Sequence, residues 1–130
     1  MRAVDAVLLN PLPYQEPDRL VAVWETNKQL SPEMWDRNEA AMPNFLDWRS
    51  RNQVFEQLGS LFYADVNLTG IGEPEQIKSC VITTNFLQVL GIQPMIGRSF
   101  LPEEEKLGSP RVVIISSGLW ERLFGSDPNL

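Results

Sequence analysis

LFYADVNLTGIGEPEQIKSCVIT, residues 61–83, is the stretch whose reading decides the fold. Its two flanks, Leu61–Leu68 and Ile77–Thr83, are rich in β-branched and aromatic residues and read as strands. Between them Thr69-Gly70-Ile71-Gly72-Glu73-Pro74 is a dense cluster of turn formers, so the segment predicts a β-hairpin with a longer loop. In the second flank Ile77, Ser79, Val81 and Thr83 alternate with Lys78, Cys80 and Ile82. One face is the more apolar, but the pattern alone does not settle which. Cys80 in this run is expected to be a small half-buried side chain, since a free thiol behaves as a small hydrophobe.

Working toward the N-terminus, Pro43 suits the first turn of a helix, where its missing N–H costs nothing. Phe45, Trp48 and Phe55 then recur at helical spacings, with Asp47, Arg49, Arg51 and Glu56 on other faces. Asn52 is a candidate break, and Gly59 is expected to close the segment as a C-terminal glycine. Residues 27–41 are polar and read as a surface excursion, preceded by LVAVWE (residues 20–25) as a first strand and by Pro17-Asp18 as a turn. Ala3 to Leu9 could make two helical turns before Pro11 and Pro13 stop them.

Toward the C-terminus, Thr84 or Asn85 can cap a short helix Phe86–Leu90 that Gly91 terminates. Pro102 opens Glu103-Glu104-Glu105, where acidic residues favour a helix start through the macrodipole. Arg111–Ile115 (RVVII) is the most strand-like run of the chain. Ser116 or Ser117 then caps a helix Gly118–Phe124 carrying Leu119, Trp120, Leu123 and Phe124 as an apolar stripe, closed by Gly125. Strands mixed with helices give an α+β (mixed α/β) fold class.

A chain of 130 residues with 43% hydrophobic residues is expected to form one domain with a sizeable core. Its net charge of −6 disfavours nucleic-acid backbones and anionic lipid headgroups, and Arg49 with Arg51 makes no basic stripe. The absence of histidine removes Ser-His-Asp and Cys-His catalysis and the commonest zinc ligand. A single cysteine, Cys80, allows no internal disulfide. No window approaches the roughly 18–20 apolar residues of a membrane span.

Residue clusters that could carry chemistry favour structural readings. Glu103–Glu105 could bind a cation, but consecutive helical residues point about 100° apart, so a solvated helix start is the better reading. Gly70-Ile71-Gly72 lacks the third glycine and the helix of a phosphate loop, and Glu73 would repel phosphate. Ser116-Ser117-Gly118 lacks the nucleophile-elbow pattern and a histidine base. Asn67-Leu68-Thr69 fits the glycosylation pattern, which a hairpin-entry Asn also explains. Of the four tryptophans, Trp48 and Trp120 belong to helical stripes and are expected in the core, while Trp35 lies in the polar excursion. Seventeen acids leave carboxylate-based hydrolysis open, but no spacing singles out a pair. No catalytic, cofactor-binding or metal-binding residue is assigned.

Five co-linear segments carry a family resemblance: AVLLNPLPYQEPDRLVAVWE (6–25), PNFLDWRSRNQVFEQLG (43–59), NLTGIGEPEQI (67–77), TTNFLQVLGIQPMIGRSFLPEEE (83–105) and VVIISSGLWERLFGSDPNL (112–130). Together they resemble the MacB-like periplasmic core domain of FtsX-type ABC-transporter permeases, within the duplicated orphan-permease subgroup. The resemblance implies a porter-like half with a small inserted subdomain, without a catalytic centre or cofactor, lying outside the cytoplasmic membrane between the first two transmembrane helices. It implies that residues 1–10 are the tail of a missing first transmembrane helix and that residues 11–130 are a partial, truncated core domain. The implied partners are the remainder of the permease, a second permease half and a separate ATPase subunit, with no nucleic acid. Membrane attachment would run through transmembrane helices absent from this chain. The expected function is a relay of conformational change in export or mechanotransmission at the cell membrane. The alternative is a free-standing ligand- or protein-binding module with a groove between its helices and hairpin.

Overall fold

Leu61–Leu68 (β1) and Glu75–Ile82 (β2) form the antiparallel hairpin in the computed structural model of the chain, which describes residues 14–26, 29 and 38–130. The register runs from Leu61 opposite Ile82 to Leu68 opposite Glu75, so the second strand starts two residues earlier than its apolar run. Gly70 and Gly72 bend the connecting loop with φ of 89° and 64°, values that suit glycine. Alternation divides the sheet into two faces. Ala64, Leu68, Glu75, Ile77 and Ser79 lie on the more covered one, where the Ser79 hydroxyl donates to the Ala64 carbonyl at 2.6 Å.

The register also corrects the expectation for Cys80. It stands opposite Tyr63 on the polar face, beside the Asp65–Lys78 and Asn67–Gln76 pairs, and is exposed. Tyr63 itself is 80% exposed. Pairing with a neighbouring strand, which a single-strand pattern does not contain, decides which alternating set faces out.

Met42–Arg51 (α1) begins with Ala41 in extended conformation, and the Phe45 N–H donates to the Ala41 carbonyl at 3.0 Å. Pro43 sits in the first turn as expected. Phe45 is the buried residue of this helix at 4% exposure, with the Arg49 guanidinium 5.4 Å from its ring centroid. The helix stops at Asn52, whose Oδ1 accepts the N–H groups of Val54 at 3.0 Å and Phe55 at 2.8 Å. That local ring competes with the helical ladder, which is why Asn52 and not Gly59 is the terminator.

Gly59 serves a different purpose from the one its position suggested. A Cβ placed on it would lie 3.1 Å from Phe86 Cδ2 and 3.3 Å from Phe86 Cα. Glycine here permits close approach of two chain segments, a requirement set by a residue 27 positions away.

Phe86–Val89 (α2) follows the hairpin directly and ends near Gly91, which adopts φ 69° as a left-handed terminator should. Asn85 precedes α2 without capping it. Pro102–Glu105 forms a 3-10 turn, and Pro17–Arg19 forms another where a turn was expected. Ser117–Phe124 (α3) fits its sequence closely. The Ser116 hydroxyl accepts the Leu119 N–H at 3.2 Å, and Gly125 closes the helix at φ 58°.

Two expected strands form no ladder among the described residues. Of LVAVWE, Glu25 makes an antiparallel bridge with Asn38, with N–H···O distances of 2.9 and 3.0 Å, and no ladder extends from it among the described residues. Arg111–Ile115 makes no strand, and Val113 is 79% exposed. The high β propensity of that run reflects a fit to a half-buried sheet surface, and none of the described strands pairs with it.

Among the described residues the expected sizeable core is likewise absent. Among the described residues Phe45 is the buried hydrophobic and Thr83 the buried polar residue, while Val54, Met95 and Leu107 stand 77% exposed or more. Trp48, Trp120 and the rest of the Leu119–Phe124 stripe are half-buried, not core. Ala3–Leu9, Trp35 and most of the 27–41 excursion lie outside the described residues.

Phe45→Ala should therefore cost about 3 kcal/mol, the lower end for a core phenylalanine because so few buried neighbours surround it. A urea midpoint unchanged from the parent would show that this ring does not anchor the fold. Gly59→Ala should cost about 1–2 kcal/mol through overpacking against Phe86, read as a lower thermal midpoint, whereas Gly118→Ala, with open space around it, should not lower it.

Candidate functional site

Two surface features and one polar junction stand out. The first is an open apolar groove of about 380 Å³ between the C-terminal end of α1, the 52–58 turn and Val23, lined by Trp48, Val54, Phe55 and Leu58 with Arg51 at its rim. It does not lie between the helices and the hairpin, where the binding-module alternative placed a groove. Val54 in its wall is 85% exposed. The second is a more polar depression of about 370 Å³ lined by Gln15, Gln88, Gly91, Ile92, Gln93 and Ser99.

The junction is built on Glu105. Its carboxylate accepts the Thr84 N–H at 3.0 Å and the Thr84 hydroxyl at 3.2 Å, and pairs with the Arg49 guanidinium at 3.1 Å. One side chain thus joins α1, the β2–α2 connection and the 3-10 turn. Burial pushes the Glu105 carboxyl up, but the Thr84 N–H, the Arg49 hydrogen bond and charge, and the Thr84 hydroxyl together hold it below the ordinary carboxylate value. Beside it, Asn85 donates to the Leu58 carbonyl at 3.0 Å, while its buried Oδ1 accepts nothing.

Neighbouring acids are also engaged. Glu104 takes both Arg98 amines, at 2.6 and 3.1 Å, and the Leu101 N–H at 2.7 Å; these bonds lower its pKa, the Arg98 hydrogen bond most. Glu75 receives a two-pronged pair from Arg122 at 2.7 and 2.9 Å, which ties α3 to the start of β2 and lowers the Glu75 pKa. Arg19 bridges Glu16 at 2.9 Å and Glu56 at 2.6 Å.

The residues weighed from sequence take structural places. Glu104 and Glu105 of the acidic run are neither a cation cage nor freely solvated, since each holds a specific arginine. Among the described residues no cluster of three or more Cys, Asp or Glu is placed to hold a metal ion. Ser116 is a helix cap, Gly70–Gly72 belongs to the hairpin loop, and Asn67 pairs with Gln76 across the sheet. The Glu105–Arg49–Thr84 junction escaped sequence reasoning because its members are separated by 56 and 21 positions.

Glu75, Glu104 and Glu105 share one sign. Each folded-state pKa lies below the ordinary 4.5, so the folded chain binds fewer protons than the unfolded one in that range. Their contribution is complete above the ordinary value and is lost as pH falls through it toward the depressed values. The thermal midpoint should hold near neutrality and fall progressively below about pH 4.5; a midpoint flat down to pH 3 would mean these pairs contribute nothing.

No helix among the described residues is long and apolar enough to cross a membrane. No curated protein and no solved structure gives a significant match to the chain. A family description does match, that of the MacB-like periplasmic core domain, over residues 5–129. The order of segments read from the sequence, the mixed α+β elements and this near-complete coverage agree, and the chain belongs to the MacB-like periplasmic core domain family, the periplasmic part of ABC-type transporter permeases.

Proposed function

We propose that this chain is a non-catalytic extracytoplasmic domain of an FtsX-type permease of the duplicated orphan-permease subgroup, relaying conformational change in export or mechanotransmission. The observation that carries the reading is the family match over residues 5–129. In this reading residues 1–10 are the tail of a transmembrane helix and residues 11–130 are part of the core domain. The partners are the rest of the permease, a second permease half and a separate ATPase subunit that hydrolyses ATP.

The physical character of the surface supports it. Exposed Val54, Met95, Ile96 and Leu107 offer apolar contact area in a protein whose own core uses little of it. Segments far apart in sequence are joined by ion pairs such as Arg49–Glu105 and Glu75–Arg122, which exchange partners more readily than interdigitated cores do.

Cys80, the chain's single cysteine and an exposed one, makes the location testable. In intact cells producing the native protein, a membrane-impermeant maleimide should label it, and Cys80→Ser should abolish that label. Labelling that appears only after lysis would place the domain inside the membrane barrier and end the permease reading.

A further inference from the structure

Residues 98–109 form a unit closed on itself. Arg98 binds both Glu104 oxygens, Glu104 also accepts the Leu101 N–H, and the Ser109 hydroxyl donates to the Glu103 carbonyl at 2.7 Å. Backbone bonds Glu104 N–H to Leu101 O, Lys106 N–H to Glu103 O and Ser109 N–H to Lys106 O complete it. The Glu104 side chain is only 13% exposed, so this internal pair is the most enclosed carboxylate among the ion pairs.

Gly97 stands immediately before the unit, with φ of 82° and nothing within 4 Å of where a Cβ would sit, whereas Gly108 lies inside it, spanned by the two Ser109 bonds. Gly97 is an uncrowded positive-φ glycine, able to absorb backbone rotation without collision, and beyond Ser109 residues 110–115 belong to no helix or strand. Among the described residues, the polar ties from 98–109 to the rest of the chain all pass through Glu105, to Arg49 and Thr84. The apolar side chains Leu101 and Leu107 are exposed and add little grip, although Phe100 is half-buried.

We propose that residues 98–109 are a preformed clip, hinged at Gly97 on one side and at the unladdered 110–115 connector on the other, and latched to α1 and the base of the hairpin by Glu105. Releasing this one carboxylate swings the clip and Leu107 away as a unit while the hairpin stays folded. The clip would give the relay reading a moving part, yet its mechanics rest on this geometry alone and are tested without transport.

The test places spin labels at Val54 and Leu107, both highly exposed, in a Cys80→Ser background of the full chain. The parent should give one narrow distance distribution. Glu105→Ala, which removes every acceptor of the latch, should broaden it and make the Thr84 amide exchange about tenfold faster, while the β1–β2 amides and the Leu101 amide stay protected. An unchanged distribution overturns the latch. If Glu105→Ala loses the hairpin ladder, Arg49→Met decides: broadening with the ladder intact supports the latch, and a lost ladder or an unbroadened distribution overturns it.

Discussion

The structure depends on the pinch at the open end of the hairpin. Thr83 donates its N–H to the Ser60 carbonyl and accepts the Ser60 N–H on its hydroxyl, both at 3.0 Å. This closes the chain at the point where the ladder ends and α2 leaves. Thr83 is the buried polar residue of the described chain, and burial is tolerable because its hydroxyl and amide are both satisfied. Gly59 lets Phe86 come against the same point, and Asn85 ties it back to Leu58. A valine at 83 would keep the shape but leave the Ser60 N–H without its acceptor, a cost that shape alone would not reveal.

From that pinch the rest of the fold is hung by charge more than by burial. Thr84 receives Glu105, Glu105 receives Arg49, and Arg49 lies over Phe45, so a continuous path of contacts joins the 102–105 turn to the buried Phe45 ring. Arg122 and Glu75 do the same for α3 and β2, and Arg19 and Glu56 for the N-terminal turn and the segment after α1. Exposed pairs of this kind contribute roughly 0–1 kcal/mol each, so they set geometry without fixing it rigidly. Each is also screened by salt, which makes the arrangement of segments, unlike the hairpin ladder, sensitive to ionic strength.

What the sequence made legible was local. The hairpin loop, Pro43 at a helix start, Ser116 as a cap and the left-handed glycines 91 and 125 all act on neighbours within a few residues, so their signals lie side by side in the chain. What escaped was set by distant partners. Gly59 answers to Phe86, the exposure of Cys80 follows from the register with Tyr63, and Glu105 finds Arg49 far back in the chain. The family resemblance was legible for a further reason: five ordered segments carry information jointly that none carries alone. That made the family readable before any site was, and the acidic run was read rightly as a helix start while its arginine partners, which helix-start chemistry does not require, went unseen.

The two strand-like runs that form no ladder among the described residues follow from the same division. LVAVWE and RVVII have the β-branched composition of strands, yet the first makes one described bridge and the second none. Strand formation requires a partner's backbone, and composition states only a readiness to accept one. RVVII leads straight into α3, which Arg122 fastens to Glu75 at the far end of the hairpin from the Thr83 pinch. The run therefore joins an anchored helix to the proposed clip with no ladder to stiffen it. Motion at the clip would meet little resistance from that connector, whereas the paired strands beyond the pinch would resist it. The division between compliant and stiff parts thus follows from which backbone groups have found partners, and composition alone would have placed it elsewhere.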